Sequence, residues 1–363
     1  MKSAPMYPDF LAPFTHNTTT PRVIFGAGAL NKLPDEVEKL GLKRVLIVST
    51  SRQRRFAENL ASDLGPHASA IFSNATMHTP TNVTDDAMQL VTLHRIDGIV
   101  AVGGGSTTGL AKAIALRTGL PQIVAPTTYA GSEMTAILGE TQNGLKVTKS
   151  DPRILPRVVI YDADLTLDLP LQTSLTSAMN AIAHAVEALY AHDRNPVISL
   201  LAEEGIRALA NALPVLMKNG KDHASRTQAL YGAWLCGIAL GSVGMAIHHK
   251  LCHTLGGTFN LPHAETHTIL LPHAAAFNSA DAPEAMRRIE RALGSEHAAT
   301  GLYDLAHNLG ANMALRDLGM PESGIDVAAD LAMKNAYVNP RPLDRDSVRK
   351  IIADAWSGYR PTC

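Results

Sequence analysis

The chain has 363 residues, of which 46% are hydrophobic and 18% are charged, and its formal net charge is -1. This composition is typical of a globular protein with a substantial core, and the length accommodates two domains. Because the charges nearly balance and no long basic run occurs, we expect neither nucleic acid nor an anionic membrane surface as a partner. Small-molecule chemistry is the class of function that the composition favours.

Three scattered cysteines, Cys236, Cys252 and Cys363, give neither a disulfide framework nor a zinc ribbon, and the first two lie in apolar stretches typical of a core. The opening MKSAPMYPDFLAPF has prolines where a signal peptide needs a continuous apolar segment. No stretch reaches the roughly 18 uncharged apolar residues of a membrane span. We therefore expect a cytoplasmic protein.

Short β-branched runs alternate with helical stretches in the first half of the chain. Strands are predicted at 44–50, 97–102, 122–126 and 157–162, and RRFAENLASDL predicts a helix after the first of them. Strands that alternate with helices indicate a parallel sheet with helices on its faces. Asn143-Gly144, between two alternating runs, predicts a hairpin.

From about Thr173 onward, alanine-rich segments of helical period follow one another and strand-like runs are absent. We predict an α/β dinucleotide-binding domain over residues 1–169 and an all-helical domain over 170–363, with the boundary at Asp168-Leu169-Pro170. The predicted helices of the second domain include 176–191, 198–218, 224–256, 283–293, 298–311 and 323–335.

The clearest local motif of the first half is AVGGGSTTGLAKAIAL. A strand ends at Val102, three glycines form a turn, and Ser106 opens a helix that we expect to be amphipathic. Unpaired N–H groups at a helix N-terminus bind phosphate, and glycines allow a pyrophosphate to approach the backbone. Three adjacent glycines also suit a plain tight turn, since they lack the spacing of the common GxGxxG motif.

A second polar strand end, APTTYAGSEMT, strengthens the nucleotide interpretation. Gly131-Ser132-Glu133 indicates another helix start, although ordinary helix capping would also explain Ser132. Two polar strand ends side by side form a crevice at the carboxyl edge of a sheet, where α/β folds bind nucleotides. The residues that we expect to bind the cofactor are Gly104, Gly105, Ser106, Thr127, Thr128 and Ser132.

Six of the 15 histidines lie between residues 248 and 273. His249 and His253 share a helical face, whereas His248 points about a quarter turn away. Gly256-Gly257 are expected to end this helix, and His263 to begin the next. A clustered set of histidines favours a functional site, whereas scattered ones are usually ordinary surface or core residues. We interpret His16, His67, His78, His94 and His223 in the second way.

A further pair, Asn180 and His184, lies four residues apart in SAMNAIAHAVEALY, on one face of a predicted helix. A carboxylate and a histidine at this spacing would form half of a metal site. Here the first member is a neutral amide, which leaves open whether the site once held a metal.

The order of these motifs, GGGS, PTT, GSE, HA-x-E and H-x3-H-x-LGG-x4-PH, resembles that of the iron-containing alcohol dehydrogenase family. The resemblance extends from FGAGAL to NPRP. The resemblance implies the fold of that family, which is also that of dehydroquinate synthase, together with NADH or NADPH as cofactor and a homodimer. In the family an aspartate and three histidines hold a divalent metal. The matching positions are Asn180, His184, His249 and His263, and His253 matches a histidine near the nicotinamide.

Departures from the family pattern are informative. Gly109 and Asn180 replace aspartates, and PTTYAGSE is shorter than the usual PTT-x-GTGSE. These variants resemble a branch that reduces the carbon–carbon double bond of maleylacetate, a small dicarboxylate, to 3-oxoadipate in bacterial breakdown of aromatic rings. The resemblance also implies cofactor-binding roles for Thr50, where the family usually has an acidic residue against the ribose, and for Lys146.

A site without the metal-binding aspartate suits this reaction, because the charge formed on hydride addition spreads as an enolate that a hydrogen-bond donor can hold. We predict catalysis without metal, with His253 as the first choice of proton donor and with His184, His249, His263 and Asn180 in the site. Arg341 is the candidate for binding a substrate carboxylate.

Two alternative functions stay open. One is a metal-dependent alcohol or aldehyde reductase, since three histidines suffice for zinc, and the other is a non-catalytic nicotinamide-sensing homologue.

Overall fold

The computed structural model describes residues 13–17, 19–142, 145–334 and 337–362. Within these ranges the strands are β1 (Arg22–Phe25), β2 (Val45–Val48), β3 (Ala68–Phe72), β4 (Gly98–Gly103), β5 (Gln122–Pro126), β6 (Ile137–Gln142), β7 (Leu145–Ser150) and β8 (Val158–Tyr161). The α-helices of the first half are α1 (Leu33–Lys39), α2 (Arg54–Leu64), α3 (Thr81–Leu93) and α4 (Gly105–Thr118). Those of the second half are α5 (Leu171–Tyr190), α6 (Pro196–Lys218), α7 (His223–Ser242), α8 (Ile247–Phe259), α9 (His263–Asn278), α10 (Pro283–Leu293), α11 (Ala298–Asn308), α12 (Gly324–Ala332) and α13 (Arg345–Ser357).

Six strands form a parallel sheet in the order β1-β8-β5-β4-β2-β3. Every residue of β2, β4, β5 and β8 is buried, as expected of parallel strands that are covered on both faces. Alternate residues of β2 pack into two separate apolar clusters: Val45 and Ile47 join one, and Leu46 and Val48 join the other. The predicted α/β class of the first half is confirmed.

The two strands that the sequence did not reveal, β1 and β3, are the edges of this sheet. Their residues are mostly half-buried, with exposed ends in β1. A short edge strand lacks the continuous apolar run that made the four central strands recognisable.

The order of the strands reverses between β2 and β4. From β2 the chain passes outward to β3, whereas from β4 it passes to β5 on the other side. The loops that leave the carboxyl ends of β2 and β4 therefore diverge, and ligands of open α/β sheets bind in the crevice at such a point. Thr50 follows β2, and the three glycines lie at the end of β4.

Strands β6 and β7 pair as an antiparallel hairpin, from Ile137 opposite Ser150 to Gln142 opposite Leu145. The Asn143-Gly144 turn predicted for this hairpin lies outside the described residues.

The second half is helical throughout the described residues, as predicted, but several helix bounds differ. The predicted helix 224–256 is two helices, α7 and α8, which are separated at residues 243–246. Gly256-Gly257 do not end α8, which continues to Phe259 and stops at Asn260 in the left-handed conformation (φ 54°). Helix α13 was not predicted. It completes an apolar core with α8, α9 and α12.

The chain divides into two compact units, one containing Thr20–Pro170 and Asn219–Leu230 and the other containing Leu171–Lys218 and the chain from Tyr231 onward. A domain boundary between residues 169 and 170 stays a prediction.

Cys236 and Cys252 are both buried, as expected, and Cys363 lies outside the described residues. No single helix of the described ranges is long and apolar enough to cross a membrane. Helices α7 and α8 together have the length and composition of a span, but they are bent by 95° at the break between them.

Candidate active site

The glycine-rich turn joins β4 to α4, and its three glycines differ in what they allow. At Gly103 (φ 155°) a Cβ atom would collide with Thr107, and at Gly104 it would lie 2.9 Å from Thr128 Cγ2. At Gly105 the nearest atom would be Ala130 Cβ at 3.8 Å, which is an ordinary contact. Packing therefore explains the first two glycines but not the third. The open space at Gly105 fits a ligand approaching the N-terminus of α4.

Helix α4 was predicted to be amphipathic, and this prediction is wrong. Nine consecutive residues from Thr107 to Ala115 are buried, because the helix packs against β4 and β5 and also against α3 and β6. Gly109, the position of a family aspartate, has no room for a side chain, since a Cβ there would collide with the hydroxyl of Thr79.

The ends of β2 and β5 are joined by Gln53, which the sequence analysis did not identify. Thr50 Oγ1 donates to Gln53 Oε1 at 3.1 Å, and Gln53 Nε2 donates to Thr127 Oγ1 at 3.1 Å. Thr127 also donates its backbone N–H to the Gly103 carbonyl at 3.1 Å. The predicted cofactor residues Thr50, Thr127 and Thr128 are thus brought together with the glycine turn.

Ser132 belongs to a single 3₁₀ turn, Ser132–Met134, and not to the predicted helix start, because the chain extends at Thr135 to enter β6. The turn is fixed by Lys112, a fully buried residue that the sequence analysis did not identify. Lys112 Nζ donates to the Ser132 carbonyl at 2.5 Å, to Thr135 Oγ1 at 2.9 Å and to the Ile137 carbonyl at 2.8 Å. Burial lowers the pKa of Lys112 to about 7, and the nearby Glu133 opposes this shift.

Lys146, the remaining predicted cofactor residue, lies in β7 opposite Thr141.

Asn180 and His184 lie on one face of α5, as their spacing predicted. This helix is buried without a break from Ser174 to Tyr190, so its polar side chains need partners within the protein. Asn180 Nδ2 is 3.2 Å from His184 Nε2, and His184 Nδ1 is 2.8 Å from His249 Nε2 on α8. His249 Nδ1 is 2.6 Å from Glu187 Oε2. The result is a continuous chain of hydrogen bonds, Asn180–His184–His249–Glu187, which we call the polar chain.

Glu187, which the sequence analysis did not assign to the site, is fully buried and surrounded by donors. Its Oε2 accepts from the backbone N–H of Ala246 at 2.9 Å, and its Oε1 accepts from that of His248 at 2.8 Å. The hydroxyl of Tyr190 donates to Oε1 at 3.4 Å. Since Ala246 has no side chain that could cap α8, the carboxylate of α5 supplies the cap and lies at the positive end of the α8 dipole.

The other predicted histidines lie beside the polar chain. The rings of His253 and His263 are nearly parallel, with centroids 6.4 Å apart, and the ring of His249 is 6.2 Å from that of His253. His253 is exposed and His263 is half-buried, whereas His184 and His249 are buried. The four predicted histidines therefore form one cluster, and among them His253 has the best access to solvent.

Two further histidines complete the cluster. His267, which the sequence analysis did not single out, lies 4.3 Å from His263 and 5.0 Å from His249 between ring centroids. His248 diverges from His249 as predicted and turns inward, with Nε2 at 2.9 Å from His267 Nδ1. Burial lowers the pKa of both His248 and His267 well below the usual value, and the neighbouring imidazoles add to the shift. Both rings are therefore neutral near pH 7.

Two of the four positions that match the metal ligands of the family, His184 and His249, are engaged with other side chains in this arrangement. His184 Nε2 faces the Asn180 amide and His249 Nε2 faces His184 Nδ1, so the two ring nitrogens are aimed at other members of the polar chain. Asn180 contributes no formal charge to attract a cation. Within the described ranges, one set of three His, Cys, Asp or Glu side chains has all its ligand atoms within 4.8 Å of one another, and it is a different set: His248, Cys252 and His267.

Arg341 does not join the cluster. Its guanidinium lies 4.5 Å from the centroid of the Phe277 ring and donates to the Phe277 carbonyl at 3.3 Å. Phe277 and His263 are at opposite ends of α9, about 21 Å apart at 1.5 Å per residue. The side chain of Arg341 thus packs against the end of α9 that is distant from His263. That Arg341 binds a substrate carboxylate stays a prediction.

Comparison with known sequences defines the class of the protein. Residues 20–163 match the model of the iron-containing alcohol dehydrogenases, and residues 174–356 match that of the C-terminal part of the Fe-containing alcohol dehydrogenase family. The chain belongs to the iron-containing alcohol dehydrogenase family and is an oxidoreductase. Membership of this family implies the use of a nicotinamide cofactor.

Within the family the chain is similar to maleylacetate reductases, which confirms the branch that the sequence resembled. It is 56% identical to a maleylacetate reductase of Burkholderia cepacia, over 96% of this chain and 99% of that protein. It is 51% identical to one of Rhizobium sp. strain MTP-10005, over 97% of this chain and all of that protein. The solved structure of a maleylacetate reductase from Agrobacterium tumefaciens has a TM-score of 0.93 at 51% identity, covering 97% of this chain and 100% of that one.

Proposed function

We propose that this protein reduces the carbon–carbon double bond of maleylacetate to give 3-oxoadipate, with NADH or NADPH as the electron donor and without a metal. The names of its relatives support the substrate and a place in the breakdown of aromatic compounds. The observation that carries the metal-free part is the polar chain, in which the Asn180 amide contacts a histidine nitrogen that a metal would need.

The residues proposed to hold the cofactor are those at the strand ends. At the N-terminus of α4, Gly105 leaves space and Ser106 offers N–H and hydroxyl donors, so these residues would hold the pyrophosphate. Thr50, after β2, would bind the adenosine ribose. Thr127, Thr128, Ser132 and Lys146 would provide further contacts. When bound, the dihydronicotinamide supplies a hydride to the substrate.

The histidine cluster serves the substrate. Hydride addition to the alkene carbon farther from the ketone leaves an enolate on the ketone oxygen, and a proton must then reach the carbon next to the ketone. One hydride and one proton are consumed for each double bond reduced. His253 is the proposed proton donor, because its exposed ring can exchange protons with water. His263, which stacks against it, offers a hydrogen bond to the enolate oxygen.

An isotope experiment tests the reaction class. With cofactor deuterated at the transferable position, the label should appear in 3-oxoadipate on the former alkene carbon farther from the ketone, which does not exchange with water. A carbonyl reductase would instead place the label on a new alcohol carbon and leave the double bond intact. If the labelled alcohol is found, or if simple alcohols are turned over in preference to maleylacetate, the proposal is wrong and the protein is an alcohol or aldehyde reductase.

A further inference from the structure

The polar chain has a direction, and the two residues at its ends determine that direction. Glu187 Oε2 lies 2.6 Å from His249 Nδ1, and a carboxylate can only accept at that distance, so His249 Nδ1 carries the hydrogen. The Nε2 of a neutral His249 then has a lone pair, which accepts from His184 Nδ1 at 2.8 Å. His184 Nε2 in turn accepts from the Asn180 amide nitrogen at 3.2 Å.

Every link of the chain thus pairs a donor with an acceptor while both imidazoles stay neutral. At one end Asn180 is a donor and at the other Glu187 is an acceptor. An aspartate at position 180, as in the metal-binding pattern, would place an acceptor at both ends. Such a chain could be completed only by adding a proton, on a ring nitrogen or on the aspartate, or by adding a divalent cation.

We propose that Asn180 and Glu187 are a matched pair of positioning residues that hold His184 and His249 as neutral Nδ1–H tautomers. This inference rests on the proposed function in one respect: the fixed rings of the polar chain support the exposed pair His253 and His263 that serve the substrate. Asparagine at 180 does more than omit a charge. It supplies the hydrogen that makes the chain complete without a cation.

Several contacts keep Glu187 in its acceptor role. The carboxylate is buried and receives backbone N–H groups of Ala246 and His248 at the start of α8 as well as the imidazole of His249. All of these partners are hydrogen-bond donors. An ionised carboxylate accepts on both oxygens, whereas a carboxylic acid would direct its own O–H group at one of the donors. The same group therefore ends the polar chain and caps the helix that carries His248, His249 and His253.

The direct test is nitrogen-15 NMR of the histidine rings in the full-length protein. Signals of His184 and His249 are identified by their loss in the His184→Gln and His249→Gln variants. In the wild type both residues should be neutral with hydrogen on Nδ1. A hydrogen on Nε2 of either ring, or an imidazolium, near pH 7 would overturn the proposal whatever the enzyme turns over.

A second test reverses the direction of the hydrogen bonds in the polar chain. In Glu187→Gln the amide oxygen can replace only one of the two accepting oxygens. If the NH2 group takes the place of Oε2, both rings should change to the Nε2–H tautomer while the Asn180 amide rotates to accept. If it takes the place of Oε1, the tautomers persist and the backbone N–H of His248 loses its acceptor. The matched control is Glu133→Gln, another fully buried carboxylate, which bonds to Tyr161 and lies outside the polar chain. It should leave both tautomers unchanged. Unchanged tautomers together with an unchanged backbone amide signal of His248 in folded Glu187→Gln would contradict the assignment.

Kinetics distinguish positioning from a purely structural role. Glu187→Gln should lower kcat for maleylacetate at least 10-fold and change KM for either substrate less than 3-fold.

Combining Asn180→Asp with Glu187→Gln exchanges the acceptor and donor ends of the polar chain, so this double variant should be more stable to heat than Asn180→Asp alone. Additive losses in the double variant would overturn the matched pair. If Glu187→Gln does not fold, the wild-type spectrum still decides the proposal. If maleylacetate is not a substrate, the spectra and the stability cycle test it independently of the proposed function.

Discussion

Gly105→Val tests whether the glycine-rich turn binds the cofactor pyrophosphate. A Cβ at this position would meet Ala130 Cβ at 3.8 Å, and Gly105 is not among the glycines with positive φ, so the fold should accept valine. The added methyl groups would occupy the space before the first N–H groups of α4, which have no partner within the helix. We expect the KM for the cofactor to rise at least ~10-fold, which corresponds to ~1.4 kcal/mol of binding free energy.

The assay combines steady-state kinetics with thermal unfolding. Gly105→Ala should give a smaller rise in the cofactor KM, because one methyl group fills less of the space. Gly104→Ala is the matched comparison: its Cβ would lie 2.9 Å from Thr128 Cγ2, so this variant should lower Tm, whereas Gly105→Val should not. An unchanged cofactor KM in folded Gly105→Val would show that the three glycines form a plain turn.

Three further predictions concern the two halves of the site. NADPH should be accepted alongside NADH, because Thr50 replaces the acidic residue that would repel a 2′-phosphate. A kcat/KM with NADPH lower by ~1000-fold or more, about 4 kcal/mol, would refute this. Asn180→Asp should bind zinc or iron much more tightly and lose reduction of maleylacetate; a metal-free variant with wild-type kcat would contradict the reasoning. His253→Gln should lower kcat ~100-fold with little change in the cofactor KM, whereas the control His223→Gln, which removes a surface pair with Asp164, should leave kcat unchanged.

The sequence predicted the central strands of the fold well because burial on both faces leaves a continuous apolar run, as in Val45–Val48 and Gln122–Pro126. The edge strands lack this signal. The continuation of α8 through Gly256-Gly257 was missed for a different reason. Glycine ends a helix when the backbone needs a left-handed residue, and here Asn260 takes that conformation instead.

Within the site, spacing predicted correctly which residues share a helical face, as for Asn180 with His184. Spacing did not lead to Glu187 or His267, because their roles depend on contacts between α5, α8 and α9, which are distant from one another in sequence. The HA-x-E motif contained Glu187, and a buried carboxylate one turn from a site histidine is a signal that could have identified it. Lys112 gave no such signal, since a lysine in a helix is usually a surface residue.

The central claim, reduction of maleylacetate by a histidine cluster without metal, is tested most directly by elemental analysis paired with activity before and after chelation. The protein as purified should contain far less than one equivalent of zinc or iron per chain, and its rate of NADH oxidation with maleylacetate should not change after chelator treatment. Near-stoichiometric metal, with activity lost on its removal and regained on its return, would contradict the account and make Asn180 a tolerated metal ligand.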